Sequence, residues 1–132
     1  MPAHPIEIIL NRQLADCLSM PVFITDTSGN LIFYNEPAEK VLGTRFEETG
    51  EMNVETWSTV FKQQDDEGKL LAPESLPLVS TLKDQYPHHK TFWIVSMQGK
   101  AEKISVTAYP IIGRAGNFLG AVAIFWEVKD VG

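Results

Sequence analysis

The sharpest pattern of apolar and polar positions runs from Pro21 to Gly43. Two apolar runs, Val22–Thr25 and Leu31–Tyr34, flank the polar segment Asp26-Thr27-Ser28-Gly29-Asn30. An Asp that can bond its own backbone and a Gly free to take positive φ predict a β-hairpin. Asn35 is placed to cap a helix with Pro37 in its first turn, and Gly43 after Val41-Leu42 reads as its left-handed stop. Upstream, Ile6, Ile9, Leu10, Leu14, Cys17 and Leu18 recur at helical spacing over Pro5–Leu18 and form one apolar stripe.

Downstream, apolar residues Phe46, Met52, Val54, Trp57, Val60 and Phe61 are irregularly spaced, which predicts a helical region from roughly Arg45 to Gln64. Asp65-Asp66-Glu67-Gly68 is a polar loop. Ser75 is read as the cap of a further helix, with Pro77 in its first turn and Leu78, Val79 and Leu82 as its stripe. The last third is strand. Thr91–Met97, Glu102–Ile111 and Leu119–Val128 are separated by turns at Gln98-Gly99-Lys100 and Gly113–Asn117. Two strands, a helical middle and three strands predict an α+β fold around an antiparallel sheet.

Size and charge narrow the function classes. At 132 residues the chain suits one core. A net charge of −6 with scattered basic residues argues against nucleic acid or an anionic membrane as partner. The single cysteine, Cys17, rules out an internal disulfide, fits a reducing cytoplasm, and is read as a small buried hydrophobe. No apolar run approaches the ~20 residues of a membrane span, and the first residues lack a signal-peptide pattern.

In order and spacing, Asp26, Gly29, Asn35, Ala38, Leu42 and Gly43 resemble the opening of a PAS domain, the small sensory module of signalling proteins. The segment DDEGKLLAPESLPL resembles that family's Asp-Gly-x-Pro-Leu stretch, with Pro73 displaced, and Tyr109-Pro110-Ile111 followed by Gly120 resembles its last strand pair. The resemblance implies a five-stranded antiparallel sheet with short helices on one face and the N-terminal helix on the other. It divides the chain into residues 1–19, a capping or dimerising helix, and 20–130, the PAS unit. It also implies a non-catalytic role in signal transduction, such as a two-component system with an effector domain or partner kinase. Where the family often carries Arg-Asp-Ile/Val-Thr, this chain has Trp126-Glu127-Val128-Lys129: Glu127 keeps the carboxylate, but Trp replaces the Arg and Lys the Thr of the family's usual salt bridge to an effector linker. The sequence reaches Gly132 where an output helix would begin, which fits either an excised module or one that acts by association.

Strand alternation gives two face lists. Facing the helices, by the resemblance, are Phe23, Thr25, Leu31, Phe33, Phe92, Ile94, Ile104, Val106, Ala108, Ala121, Ala123 and Phe125. With Trp57, Phe61 and Leu78, this face supplies the cavity candidates: Phe23, Thr25, Phe33, Phe92, Ile94, Ile104, Val106, Ala108, Ala123 and Phe125. Side chains fill that space, or a cavity for a hydrophobic or aromatic compound remains, with Thr25, Ser96 or Tyr34 as polar handles. The opposite face, Val22, Ile24, Ile32, Tyr34, Trp93, Val95, Tyr109, Val122, Ile124 and Trp126, is nearly as apolar. A face of that kind needs a cover: the apolar stripe of Pro5–Leu18 is the nearest candidate, and because one short helix cannot cover five strands, a homodimer is predicted to complete it. Its interface candidates are Ile6, Leu10, Leu14, Ile24, Trp93, Ile124 and Trp126.

The ligand itself is unknown. Flavin is not expected, because no Cys lies in the helical middle and Ile94, Ile104 and Phe125 stand where polar flavin contacts would be. Haem is not expected, since the helix Leu76–Lys83 has no His, although His88-His89 in the loop after Pro87 keep a haem or redox sensor as the alternative. A small α+β pocket enzyme is the other alternative, and it needs a buried acid that the helix-facing list lacks. Asp65-Asp66-Glu67 lacks calcium-loop spacing, so no metal site is expected, and no catalytic residues are assigned.

Overall fold

The computed structural model describes residues 6–53, 55–57, 62–96 and 99–128. Helices α1 (Ile6–Cys17), α2 (Glu36–Leu42), α3 (Phe46–Thr49) and α4 (Pro77–Asp84) accompany six strands. The strands are β1 (Val22–Thr25), β2 (Leu31–Tyr34), β3 (Lys62–Gln64), β4 (His88–Val95), β5 (Ala101–Ile112) and β6 (Phe118–Glu127). They form one antiparallel sheet in the order β2-β1-β6-β5-β4-β3. The sheet therefore has six strands, not the expected five. The addition is β3, whose sequence Lys-Gln-Gln has no apolar alternation and which exists by pairing Gln63 with Ile94 at the edge of β4. Of the expected helical middle, α3 and a helical turn at 55–57 are present, while Val54, Val60 and Phe61 lie outside the described residues.

Local chemistry explains the first hairpin. Asp26 accepts from the backbone N–H groups of Ser28 and Asn30, at 3.0 and 2.9 Å, and Gly29 takes φ 87°. Asn35 caps α2 by accepting from Ala38 N, and Gly43 stops it at φ 81°. Ser75 does not cap α4. Its hydroxyl donates to Ala72 O at 2.8 Å within the 3-10 turn Pro73–Ser75, and the extended Leu76 precedes the helix instead. Pro77 imposes that extended conformation on the residue before it.

Two apolar clusters sandwich the sheet. One lies between the sheet and helices α2 and α4 and includes Ala38, Leu42, Trp57, Leu78, Phe92, Ile104, Ala108 and Phe125. The other lies under α1 and includes Ile8, Ala15, Val22, Ile24, Ile32, Phe33, Ile111 and Val122. The face lists hold for β1, β4, β5 and β6 but break in β2. The β1–β2 register shifts between Ile24 and Thr25, so that Ile32 is an extra residue. Such a bulge reverses the alternation beyond it. Phe33 consequently joins the α1 side and Tyr34 the α2 side, the reverse of the expectation.

Helix α1 also turns the other way. It buries Ile8 and Ala15 against the sheet, with Arg12 over the Phe33 ring at 4.7 Å. Ile6, Ile9, Leu10 and Leu14 are exposed at 66%, 42%, 55% and 55%. Cys17, expected to be buried, is exposed as well. Most of the stripe read from the sequence points away from the chain's own core, and only its last member, Leu18, packs against it.

Candidate functional site

Between the sheet and α4, Phe23, Trp57, Gln63, Leu76, Pro77, Leu78, Phe92, Ile94, Ile104, Val106, Ala123 and Phe125 surround a void of about 30 Å³. That is room for about one water, far below the ~300–1,000 Å³ of small-molecule sites. Aromatic side chains take up the space, with Phe23 and Phe125 rings 5.1 Å apart and tilted by 49°. Trp57 is fixed on the rim by donating its indole N–H to Gly29 O at 2.9 Å.

The structure thus brings together Phe23, Trp57, Leu78, Phe92, Ile94, Ile104, Val106, Ala123 and Phe125 from among the expected cavity residues. Ala108 and Thr25 are buried without lining the void. Phe33 is on the far side of the sheet, moved there by the β2 bulge, and Phe61 is not described. Sequence reasoning missed Gln63, Leu76 and Pro77. Gln63 was hidden because only its place in β3 reveals its direction, and nothing in Lys62-Gln63-Gln64 marks a strand.

Two of the suggested polar handles are occupied. The Tyr34 hydroxyl donates to Thr44 O at 3.2 Å and lies 3.0 Å from Thr49 Oγ1, and Ser96 Oγ accepts from Lys100 N at 3.1 Å. Burial raises the Tyr34 hydroxyl pKa above 10.0, opposed by the Thr49 bond, and burial raises Tyr109 likewise. A raised folded-state pKa means that the folded chain holds these protons more tightly than the unfolded chain. Their stability contribution is complete below pH 10.0 and falls as pH rises through the folded pKa. Urea midpoints should therefore drop as pH rises from about 10 to about 11, and less steeply in Tyr34→Phe than in the parent protein.

On the opposite face, α1 covers β1, β2 and the facing ends of β5 and β6. Ile24 is wholly buried there and Ile124 is partly buried, so Ile24 is not free to meet a partner. The strip left open runs along β4 and β5. Thr91 and Ser105 hydroxyls are 2.9 Å apart, and the His89 ring lies 5.9 Å from that of Trp126, which is 39% exposed. Trp93 donates its indole N–H to Asp66 at 3.0 Å, and Lys103 lies 3.5 Å from the same carboxylate. These contacts, Trp93 first, hold the Asp66 carboxyl below its usual pKa.

His88 and His89 are strand residues of β4 and not loop residues, because pairing with Ala108 and Thr107 extends the strand back to Pro87. His88 Nε2 meets Asp84 at 2.7 Å and His89 Nδ1 meets Thr107 Oγ1 at 2.9 Å. The Asp84 carboxyl is held below its usual pKa, first by the Tyr86 backbone N–H and then by His88. No group of three metal-binding side chains occurs among the described residues. No described helix is long and apolar enough to cross a membrane. A larger open depression at α2 and α3 is lined by Glu36, Glu39, Lys40, Gly43, Thr44, Arg45 and Glu48. Its polar groups serve one another: Lys40 faces Glu36 at 3.9 Å, and Glu39 accepts from Phe46 N at 2.8 Å.

No protein-family model matches the sequence, and no curated protein matches it. Solved structures do. The PAS domain of a Colwellia psychrerythraea protein superposes with a TM-score of 0.64 at 18% identity, covering 91% of this chain and 97% of that one. The PAS domain of Bordetella pertussis BvgS gives 0.65 at 14% identity over 95% of this chain and 88% of that one. The fold is that of the PAS domains. A Rhodobacter sphaeroides LOV protein is similar to the chain over 97% of its length and 71% of its own, with a TM-score of 0.73 and 14% identity. In this PAS fold the void lies between the sheet and α4, and the open strip and the α1 stripe lie on the other side.

Proposed function

We propose that the protein is a non-catalytic sensory module that works as a homodimer. It converts occupancy of the sheet–α4 cavity, or contact with a protein partner, into a shift of the outer sheet face. The observation that carries the dimer is the stripe Ile6-Ile9-Leu10-Leu14, exposed on one side of a 12-residue helix whose other side holds the sheet. Aliphatic residues at this spacing form a helix-pairing seam, and a seam that meets its own copy closes as a symmetric pair. Trp126 and Trp93 on the neighbouring open strip extend the surface a second copy would cover.

The cavity supports a small hydrophobic or aromatic ligand, since Ile94, Ile104 and Phe125 present no polar group to it. BvgS and the Rhodobacter LOV protein lend the sensory reading its precedent by fold only. The chemistry favours neither alternative: His88 and His89 are bound to Asp84 and Thr107, and no Asp or Glu lines the void. An effector or partner kinase would receive the shift beyond Val128. Native mass spectrometry of the protein purified from its own host reports ligand and assembly together. A dimer carrying a small-molecule mass is expected, and a bare monomer would contradict both parts of the reading.

A further inference from the structure

We propose that the outer edge of β4 from His88 to Thr91 is a docking site for an acidic extended segment of a partner protein, which joins the sheet as a short strand. The proposal rests on the reading that a protein partner meets this module, and uses neither the cavity nor the α1 stripe. Strand β4 has eight residues, and β3 pairs only with Trp93, Ile94 and Val95. The direction of the remaining edge follows from β3. Leu71 N donates to Gln63 O, so Gln63 turns away from β4, and Lys62 and Gln64 turn toward it opposite Val95 and Trp93. Backbone groups alternate along a strand, so His89 and Thr91 also face that edge, while His88 and Lys90 bond to β5. No partner meets the N–H and C=O groups of His89 and Thr91 among the described residues, and both residues are exposed.

A row of unpaired donors and acceptors is a template for another strand. Pro87 bounds the row at one end and the turn closed by Asp65 N and Lys69 O bounds it at the other, so the added strand is short. Charge decides which strand it is. In a chain of net charge −6, His88-His89-Lys90 is the one run of consecutive basic side chains. Lys90 lies between the two outward-facing residues and makes no ion pair among the described residues. Two copies pairing edge to edge through His89 and Thr91 would set each Lys90 directly opposite the other, and like charges so placed destabilise the pair. An Asp or Glu in that place gives an opposite-charge pair instead. The same lysine thus keeps copies of this chain apart and admits an acidic strand.

The capped peptides Val-Thr-Glu-Thr-Val and Val-Thr-Lys-Thr-Val, added at millimolar concentration to the ¹⁵N-labelled chain, are the probes. The Glu peptide should shift the backbone amide resonances of His89 and Thr91 and slow their hydrogen exchange. Exchange at His88 and Lys90 should stay unchanged, since their N–H groups already donate to β5. The Glu peptide should bind about fivefold more tightly than the Lys peptide, and Lys90→Glu should reverse that order. Thr91→Pro removes an N–H that bonds nothing in the fold, a change that edge strands accept, and should abolish binding. Absence of binding, shifts without alternation along β4, or equal affinity for both peptides overturns the proposal. The cavity and the α1 dimer rest on other residues and are tested separately by the mass measurement. Alternating shifts that grow with protein concentration in the absence of peptide would assign the edge to a second copy and overturn the acidic partner. Should either variant fail to fold, the alternation in the parent protein still decides the question.

Discussion

Asn35→Ala should lower the unfolding free energy by about 3–5 kcal/mol, the sum expected when several buried backbone groups lose their partners together. The side chain is 1% exposed and uses its whole bonding capacity. Its oxygen accepts from Val22 N at 3.0 Å and Ala38 N at 3.2 Å, and its nitrogen donates to Ala15 O at 2.8 Å and Met20 O at 2.9 Å. One residue thereby ties the end of α1, the start of β1 and the first turn of α2. Asn35→Asp separates this role from simple capping. Asp caps a helix as well as Asn, so a capping residue alone would tolerate the change. Here Asp would set a second oxygen against the Ala15 and Met20 carbonyls, and a loss of about 2 kcal/mol or more is expected. Urea denaturation of both variants checks it; an Asp variant as stable as the parent would reduce Asn35 to a cap.

Gly120→Ala should cost about 3 kcal/mol or more, combining backbone strain with overpacking. Gly120 has φ 153°, and a Cβ there would run into the Thr25 carbonyl oxygen and come 3.3 Å from Ile8 Cδ1. The Thr25 carbonyl is backbone of the neighbouring strand and cannot swing aside as a side chain could. Ile8 is one of two α1 residues buried on the sheet, so the variant also disturbs the seat of α1. A thermal midpoint within about 2 °C of the parent would contradict the tight packing described at this point.

What could be read from the sequence was the chemistry of adjacent residues. Asp26, Gly29 and Gly43 act over four residues or fewer in the turn and cap roles expected of them, as does Asn35 in its cap on Ala38 N, whereas its bonds to Val22, Ala15 and Met20 are long-range. The features that escaped depend on distant partners. Strand β3 exists because the β4 edge is there to pair with it, and with it came the direction of Gln63 into the void. The extra residue Ile32 exchanged Phe33 and Tyr34 because side-chain period in a strand has no memory across a bulge. In α1 the apolar stripe was plain, but periodicity names a buried face without saying what buries it. Ile8 and Ala15, flanked by Asn11 and Arg12, make a narrow contact with the sheet that no moment of apolar residues would select.

The account turns on what meets that outward stripe. Sedimentation equilibrium of the parent protein at high micromolar concentration should give the mass of two chains. The double variant Leu10→Glu/Leu14→Glu should give one chain, and its unfolding midpoint should equal the parent's only at a concentration low enough for the parent dimer to dissociate, since both side chains are exposed at 55% within one chain. A parent protein that sediments as a single chain under the same conditions would contradict the claim.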